Sequence, residues 1–258
     1  MSANEWDGII SSMKARSGRA VDHEMSDAES AQIQQLTGIE VPAERRRFTL
    51  DLPSVDFEPG LSDSEFADVE KRFSFRFLPD LRAFLQTALP RGQKFPNWRS
   101  GDEATLRDWL DVPRQGILFD VEHNGFWLPE WGSRPEPIEQ ALRIAGELVA
   151  AAPKLIPIFS HRMMPDEPHL PGNPVFSVHQ TDIIHYGFDL ADYLCHEFQI
   201  PGREPWPDQV RPIRFWDIDR FQEVRWAGGS CVMDPRTLPG GLRGPVDDNQ
   251  SGKERRKW

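Results

Sequence analysis

Cysteine is scarce in this sequence: of 258 residues, two are cysteines, Cys195 and Cys231. Two thiols are too few for a disulfide framework or for a zinc site made of four thiolates. The N-terminus has no basic residues followed by an apolar segment, as an export signal would. A membrane span needs about 18 consecutive apolar residues, and no stretch of the chain approaches that length. We therefore expect a cytoplasmic protein that does not interact with membranes.

Motifs for catalysis and cofactor binding are missing as well. The glycine pairs at 228–229 and 240–241 lack the lysine that follows in a phosphate-binding loop. No His-Glu-x-x-His occurs, and His123 lacks the glutamate two residues later that a zinc deaminase requires. Cys195 and His196 are adjacent, so on a helix they do not face each other as nucleophile and base. We expect no catalytic residues, no cofactor and no bound metal; the protein is predicted not to be an enzyme.

Basic residues are outnumbered by acidic ones, 30 to 41, which gives a formal net charge of −11. A negative body repels phosphate groups, so nucleic acid is an unfavourable partner. The charge favours a cationic partner protein instead. The sequence does not indicate an oligomeric state.

The distribution of apolar residues, prolines and glycines divides the chain into four parts. We predict an N-terminal extension at 1–59, an α+β domain at 60–200, a segment docked on that domain at 201–232 and a flexible tail at 233–258. The docked segment carries several large aromatic residues, which provide apolar surface for packing. The tail contains little that a core would bury.

Helix and strand signals are clearest within 60–200. Ser62 and Glu65 have capping-box spacing ahead of an apolar stripe, and Pro79 is placed to open a second helix. Runs rich in β-branched and aromatic residues predict strands at 117–121, 155–159, 175–179 and 182–186. Asp189 is placed to cap a last helix.

Four segments in this order resemble the SUKH superfamily, which joins fungal Smi/Knr cell-wall regulators with many bacterial immunity proteins. Residues 60–73 resemble the capped opening helix of that family, and Phe77-Leu-Pro-Asp-Leu-Arg-Ala-Phe-Leu resembles the start of its second helix. Leu155-Ile-Pro-Ile-Phe is similar to its central strand. Residues 174–198 are similar to its terminal hairpin and closing helix.

The resemblance implies an α+β fold with a central mixed sheet flanked by helices, and a function in protein binding. Bacterial members commonly neutralise a toxin, often a basic nuclease, by covering its working surface. Residues 161–200 hold six acidic residues against one basic residue, Arg162, which suits such a partner. We therefore predict an immunity protein that binds a basic toxin through an acidic surface. The predicted contact residues are Asp120, Glu122, Trp127, Asp166, Glu167, Asp182, Asp189 and Asp192.

Two alternatives stay open at this point. The first is a regulatory or scaffolding adaptor of the fungal-regulator type, which binds a protein but no toxin. The second is a metal-dependent hydrolase that uses the histidine-rich region 161–196, where five histidines fall close together in sequence. Zinc ligands on the helices and strands of this region would have to converge in space.

Overall fold

A computed structural model describes residues 3–25, 27, 30, 40–202, 205 and 207–227. The helices that we number in this part of the chain are α1 (Ala3–Arg16), α2 (Asp63–Phe73), α3 (Pro79–Thr87), α4 (Glu103–His123), α5 (Ile138–Ala150), α6 (Leu190–Glu197) and α7 (Ile218–Ala227). The strands are β1 (Ala20–Glu24), β2 (Arg47–Asp51), β3 (Asp56–Pro59), β4 (Ala88–Arg91), β5 (Leu155–Phe159), β6 (Arg162–Pro165), β7 (Val175–His179) and β8 (Asp182–Gly187). Short 3-10 turns lie at Ala43–Arg45 and Pro129–Trp131. The fold is α+β.

The strands form three antiparallel sheets: β1 with β2, β3 with β4, and the larger sheet β5-β6-β7-β8. The expected mixed sheet is therefore wrong for the part of the chain that the structure describes. The reason lies in the connections: β5 to β6 and β7 to β8 are tight hairpins, whereas a parallel pair needs a long crossover. Each strand of the larger sheet thus pairs with its neighbour in sequence.

The capping signals at 62–65 produce the predicted helix start. The Ser62 hydroxyl accepts a hydrogen bond from the Glu65 backbone N–H at 3.3 Å, and the Glu65 carboxylate accepts one from the Ser62 N–H at 2.8 Å. Pro79 occupies the first turn of α3, as predicted. The two helices follow each other and bury aromatic residues against a shared core.

The four-stranded sheet lies between two apolar cores, because successive side chains on a strand point to opposite faces. On β5 and β6, Ile156 and Met164 belong to the first core, while Leu155 and Met163 belong to the second. The first core also contains residues of α1, α2, α3 and α6. The second contains residues of α4, α5 and α7.

The segments that flank residues 60–200 contribute to these cores. Trp6 of α1 is buried and packs on Phe84 with ring centroids 5.5 Å apart, and Arg16 donates to the Phe198 carbonyl at 2.7 Å. On the C-terminal side, Trp216 and Phe221 are buried in the second core. Residues 233–258, predicted to be a flexible tail, lie outside the described residues.

The strand predicted at 117–121 is helical and forms the C-terminal part of α4. Leu106, Pro113, Ile117 and Val121 are buried on one side of this helix at steps of seven, four and four, and that is a helical period. Pro113 lies inside the helix, where it removes one backbone hydrogen bond without ending the helix. No described helix is long and apolar enough to cross a membrane.

Candidate functional site

Asp120 is an internal anchor and not a surface residue. Its side chain is fully buried and accepts hydrogen bonds from the Gln180 amide at 2.9 Å and from the Thr181 backbone N–H at 2.9 Å. The Thr181 hydroxyl and the Asn124 amide donate to it as well. The bonds from Gln180 and Thr181 join α4 to the turn between β7 and β8. The predicted contact with a partner is therefore wrong for Asp120, because its carboxylate is out of reach.

Asp189 and Asp192 form the beginning of α6. The Asp189 carboxylate accepts from the Asp192 backbone N–H at 2.8 Å, and the Asp192 carboxylate accepts from the Phe188 N–H at 3.2 Å. Burial raises the pKa of Asp189, and the neighbouring Asp192 and Asp80 raise it further. Asp192 is buried, so the predicted surface contact is wrong for this residue too.

Asp166 and Glu167 lie beside the start of β5. Asp166 accepts from the Lys154 backbone N–H at 2.8 Å, and burial raises the pKa of its carboxyl. Glu167 is exposed, and its carboxylate lies 3.4 Å from the Arg214 guanidinium. Both acids are thus engaged with their own chain.

The remaining predicted acid of the sheet, Asp182, lies at the other end. In the β7–β8 pair, Val175 is opposite Gly187 and His179 is opposite Asp182. Asp189 follows the far end of β8, and the six residues of that strand span roughly 17 Å. The eight predicted residues do not form one surface.

Two of the predicted residues, Asp182 and Trp127, lie near α7, because Phe126 beside Trp127 packs on Phe221. The Asp182 carboxylate accepts from the Gln222 amide of α7 at 3.1 Å. Glu122 is exposed on the last turn of α4, where its carboxylate lies 3.7 Å from the His123 ring. Trp127 packs at right angles on Trp131, with ring centroids 5.2 Å apart.

Sequence reasoning missed three further carboxylates at this place: Glu130, Asp219 and Glu223. Glu130 lies 3.5 Å and Glu223 lies 2.8 Å from the Arg220 guanidinium of α7. Asp219 is exposed on α7 and acts electrostatically on His185 of β8. The helical spacing of Ile218, Phe221 and Val224 behind Asp217 was the signal that could have revealed α7.

We call this surface the acidic α7 face. It consists of Glu130, Asp182, Asp219 and Glu223, with Trp127 three residues before Glu130 in the chain. The Arg220 guanidinium lies between Glu130 and Glu223 on this face. The four carboxylates therefore outnumber the described guanidinium that pairs with them.

Trp127 has a fixed orientation on the acidic α7 face. Its indole N–H donates to the Gly132 carbonyl at 2.8 Å, and its ring is half-buried. Trp131 behind it stacks on Phe215 with ring centroids 6.2 Å apart. An ordered aromatic ring loses little conformational entropy when a partner packs on it.

The histidines of 161–196 do not converge. His169 is at hydrogen-bond distance, 3.0 Å, from the Phe77 carbonyl, while His185 packs near Phe176 and His196 near Tyr186. Burial lowers the pKa of His161 to about 4, and the nearby Arg162 adds to this effect. Among the described residues, no group of three or more histidine, cysteine or acidic side chains could hold a metal ion.

Arg162 and Glu197 form a largely buried ion pair at one end of the sheet. The Arg162 guanidinium lies 3.9 Å from the Glu197 carboxylate, donates to the Ser177 hydroxyl at 2.6 Å and stacks 3.5 Å from the Tyr186 ring centroid. Burial raises the pKa of Glu197, and Arg162 opposes that shift.

The chain was compared with protein-family models, with curated proteins and with solved structures, and none of the three comparisons gave a match.

Proposed function

We propose that the protein is not an enzyme and that it binds a basic partner protein against the acidic α7 face. The specific form that we propose is an immunity protein that neutralises a nuclease-type toxin. One observation carries the proposal: four carboxylates, from the 129–131 turn, β8 and α7, lie on or beside α7, near an ordered tryptophan. The sequence resemblance of 60–198 to the SUKH superfamily supports the same function.

Charge explains how such a face would act. Carboxylates on one face steer a cationic protein during its approach, so they raise the association rate and make it depend on salt. The net charge of −11 adds to this attraction at long range. The surfaces with which nucleases bind phosphate groups are basic. An acidic protein that covers such a surface would block the access of nucleic acid.

Affinity needs more than charge. Exposed ion pairs contribute little, about 0–1 kcal/mol each, whereas aromatic anchors often dominate an interface. Trp127 is the half-buried aromatic residue beside the acids, and we assign it the anchoring contact. The Arg220 guanidinium, held between Glu130 and Glu223, keeps those two side chains in place before binding.

The experiment is a calorimetric titration of the protein with the product of the adjacent gene, combined with a toxicity-rescue assay. The test variant is Asp219→Lys with Glu223→Lys, which reverses two charges on the acidic α7 face. The control is Asp56→Lys with Asp68→Lys, which makes the same change in net charge at exposed sites on β3 and α2. We expect binding to weaken about 10-fold or more at low salt in the test variant alone.

The possible outcomes separate the proposals. Absence of heat together with absence of rescue removes the immunity function. Binding without any toxicity to be rescued would favour the adaptor alternative. Equal weakening in the test and control variants would show that net charge, and not the acidic α7 face, attracts the partner.

A further inference from the structure

A groove of about 460 Å³ runs along α4 and lies apart from the acidic α7 face. Its other wall is the C-terminal end of α5 and the residues that lead into β5. Sites for small molecules in proteins typically have about 300–1,000 Å³ and a mostly apolar lining. Buried apolar side chains line this groove, namely Pro113, Val149, Pro153, Leu155 and Trp216.

Two of the cations on the rim of the groove already have partners. The Arg107 guanidinium pairs with Glu103 at 2.7 Å and donates to the Arg72 carbonyl at 3.0 Å. The Lys154 ammonium donates to the carbonyls of Phe73 and Ser74 at the C-terminal end of α2. These two side chains satisfy backbone groups that the end of a helix leaves unpaired.

Arg114 is different, because its guanidinium makes no hydrogen bond to any residue that the structure describes. Its nearest carboxylate, that of Asp111, is 3.9 Å away and accepts a hydrogen bond from the Gln115 amide at 3.1 Å. The guanidinium lies over Gly146, where a Cβ atom would be 3.4 Å from one of its nitrogens. The groove therefore offers a planar set of donors above an apolar floor.

We propose that this groove binds a linear aliphatic carboxylate, with its chain on the apolar floor and its carboxylate on Arg114. Guanidinium and carboxylate match in a two-bond geometry, and this bond is stronger than one between neutral groups. Asp108 and Asp111 on the same rim would repel an anion with several charges. The ligand class is thus a single negative charge on a flexible apolar body.

Octanoate and 1-octanol are the probes, because they share an aliphatic chain and differ in charge. Calorimetric titration of the full-length protein should show tighter binding of octanoate than of 1-octanol. We expect Arg114→Ala to weaken octanoate binding about 10-fold and to leave 1-octanol binding unchanged. The matched control is Arg143→Ala on α5, whose exposed side chain pairs with Glu147 at 2.7 Å, away from the groove.

A second variant tests the location. Ala150 is exposed and lines the groove. Ala150→Trp should therefore fill the groove and weaken the binding of both probes without disturbing the core. Unchanged octanoate binding in Arg114→Ala would overturn the proposal, and so would equal binding of octanoate and 1-octanol by the unmodified protein. Binding of a peptide with a C-terminal leucine, without binding of octanoate, would also overturn it.

Discussion

Asp120 accepts hydrogen bonds from Asn124, Gln180 and Thr181 while its side chain is fully buried. All the groups that face its carboxylate are donors. In Asp120→Asn one carboxylate oxygen becomes an N–H group, which then faces a donor and leaves it unsatisfied. We expect the free energy of unfolding to fall by about 2–4 kcal/mol.

Urea denaturation followed by circular dichroism measures this change. The control is Glu122→Gln, two residues further along α4 and exposed, for which we expect a change within about 0.5 kcal/mol. If the two variants lost equal stability, the hydrogen bonds of Asp120 would not be what joins α4 to the β7–β8 turn.

His161 makes stability depend on pH in a defined window. Burial lowers its pKa from 6.5 to about 4, with Arg162, His179 and Lys94 nearby adding to the shift. The unfolded chain therefore takes up a proton at this residue at a higher pH than the folded chain does. Stability contributed by neutral His161 is present above pH 6.5 and is lost as the pH falls towards about 4.

His161→Gln removes this titration, so the variant should lose less stability than the unmodified protein as the pH falls through that window. The difference between the two proteins, measured by urea denaturation at several pH values, cancels the groups that both share. A difference that does not change with pH would contradict the assignment.

Sequence reasoning at the residue scale identified Asp189 and Ser62 as caps because each acts within its own helix start. Asp120 was misassigned for the opposite reason. Its partner Gln180 is 60 residues away, and no local pattern distinguishes a buried acid with distant donors from an exposed one. An aspartate or glutamate is expected to be exposed from its residue type alone. A buried carboxylate whose hydrogen bonds are all made is the exception.

At the scale of elements, α4 can approach the β7–β8 turn because Gly116 has no side chain. A Cβ atom there would lie 2.6 Å from the Cα atom of Gln180, closer than real contacts allow. Gly116→Ala should therefore destabilise the protein by about 1–3 kcal/mol, although alanine favours a helix. Thermal and urea denaturation measure the effect.

Gly8 of α1 provides the matched control. Apart from its chain neighbours and the backbone of α1 itself, no described atom lies within 4 Å of the place where its Cβ atom would be, so Gly8→Ala gains helix propensity without a clash. We expect a stabilisation of about 0.5–1 kcal/mol. Changes of the same sign in both variants would mean that helix propensity, and not the close approach of α4, dominates at Gly116.

The C-terminal part of α4 was predicted as a strand because its local sequence is ambiguous. The run 117–121 is rich in apolar residues, and a short apolar run does not distinguish a buried strand from a buried stretch of helix. Pro113 is also a residue type that commonly interrupts a helix. The helix persists because its apolar side packs on the sheet and on α5, and such packing outweighs the loss of one hydrogen bond.

At the scale of the whole molecule, composition and the order of elements predicted an α+β fold, and the described residues have one. Charge did not predict where the acids lie. Asp166 and Asp182 are close in sequence, yet β7, the strand between them, places the two residues at opposite ends of the sheet. Only the topology of β6, β7 and β8 separates them.

The shared sheet also predicts how the molecule unfolds. Its strands contribute to both cores, Met164 to the first and Met163 to the second, so neither core can open without removing support from the other. We expect Phe84→Ala in the first core and Trp216→Ala in the second each to lower stability by about 3–5 kcal/mol. Both variants should still unfold in a single transition.

Coincidence of the urea curves from far-ultraviolet circular dichroism and tryptophan fluorescence is the measurement that tests this cooperativity. Trp216 donates to the Pro153 carbonyl at 2.8 Å just before β5 begins, so its loss acts directly on the sheet. An early partial transition in Trp216→Ala, with the first core still intact, would show that the two cores unfold as separate units. Met163 and Met164 are neighbours on one strand, so unfolding of the core on one face of the sheet should also unfold the core on the other face.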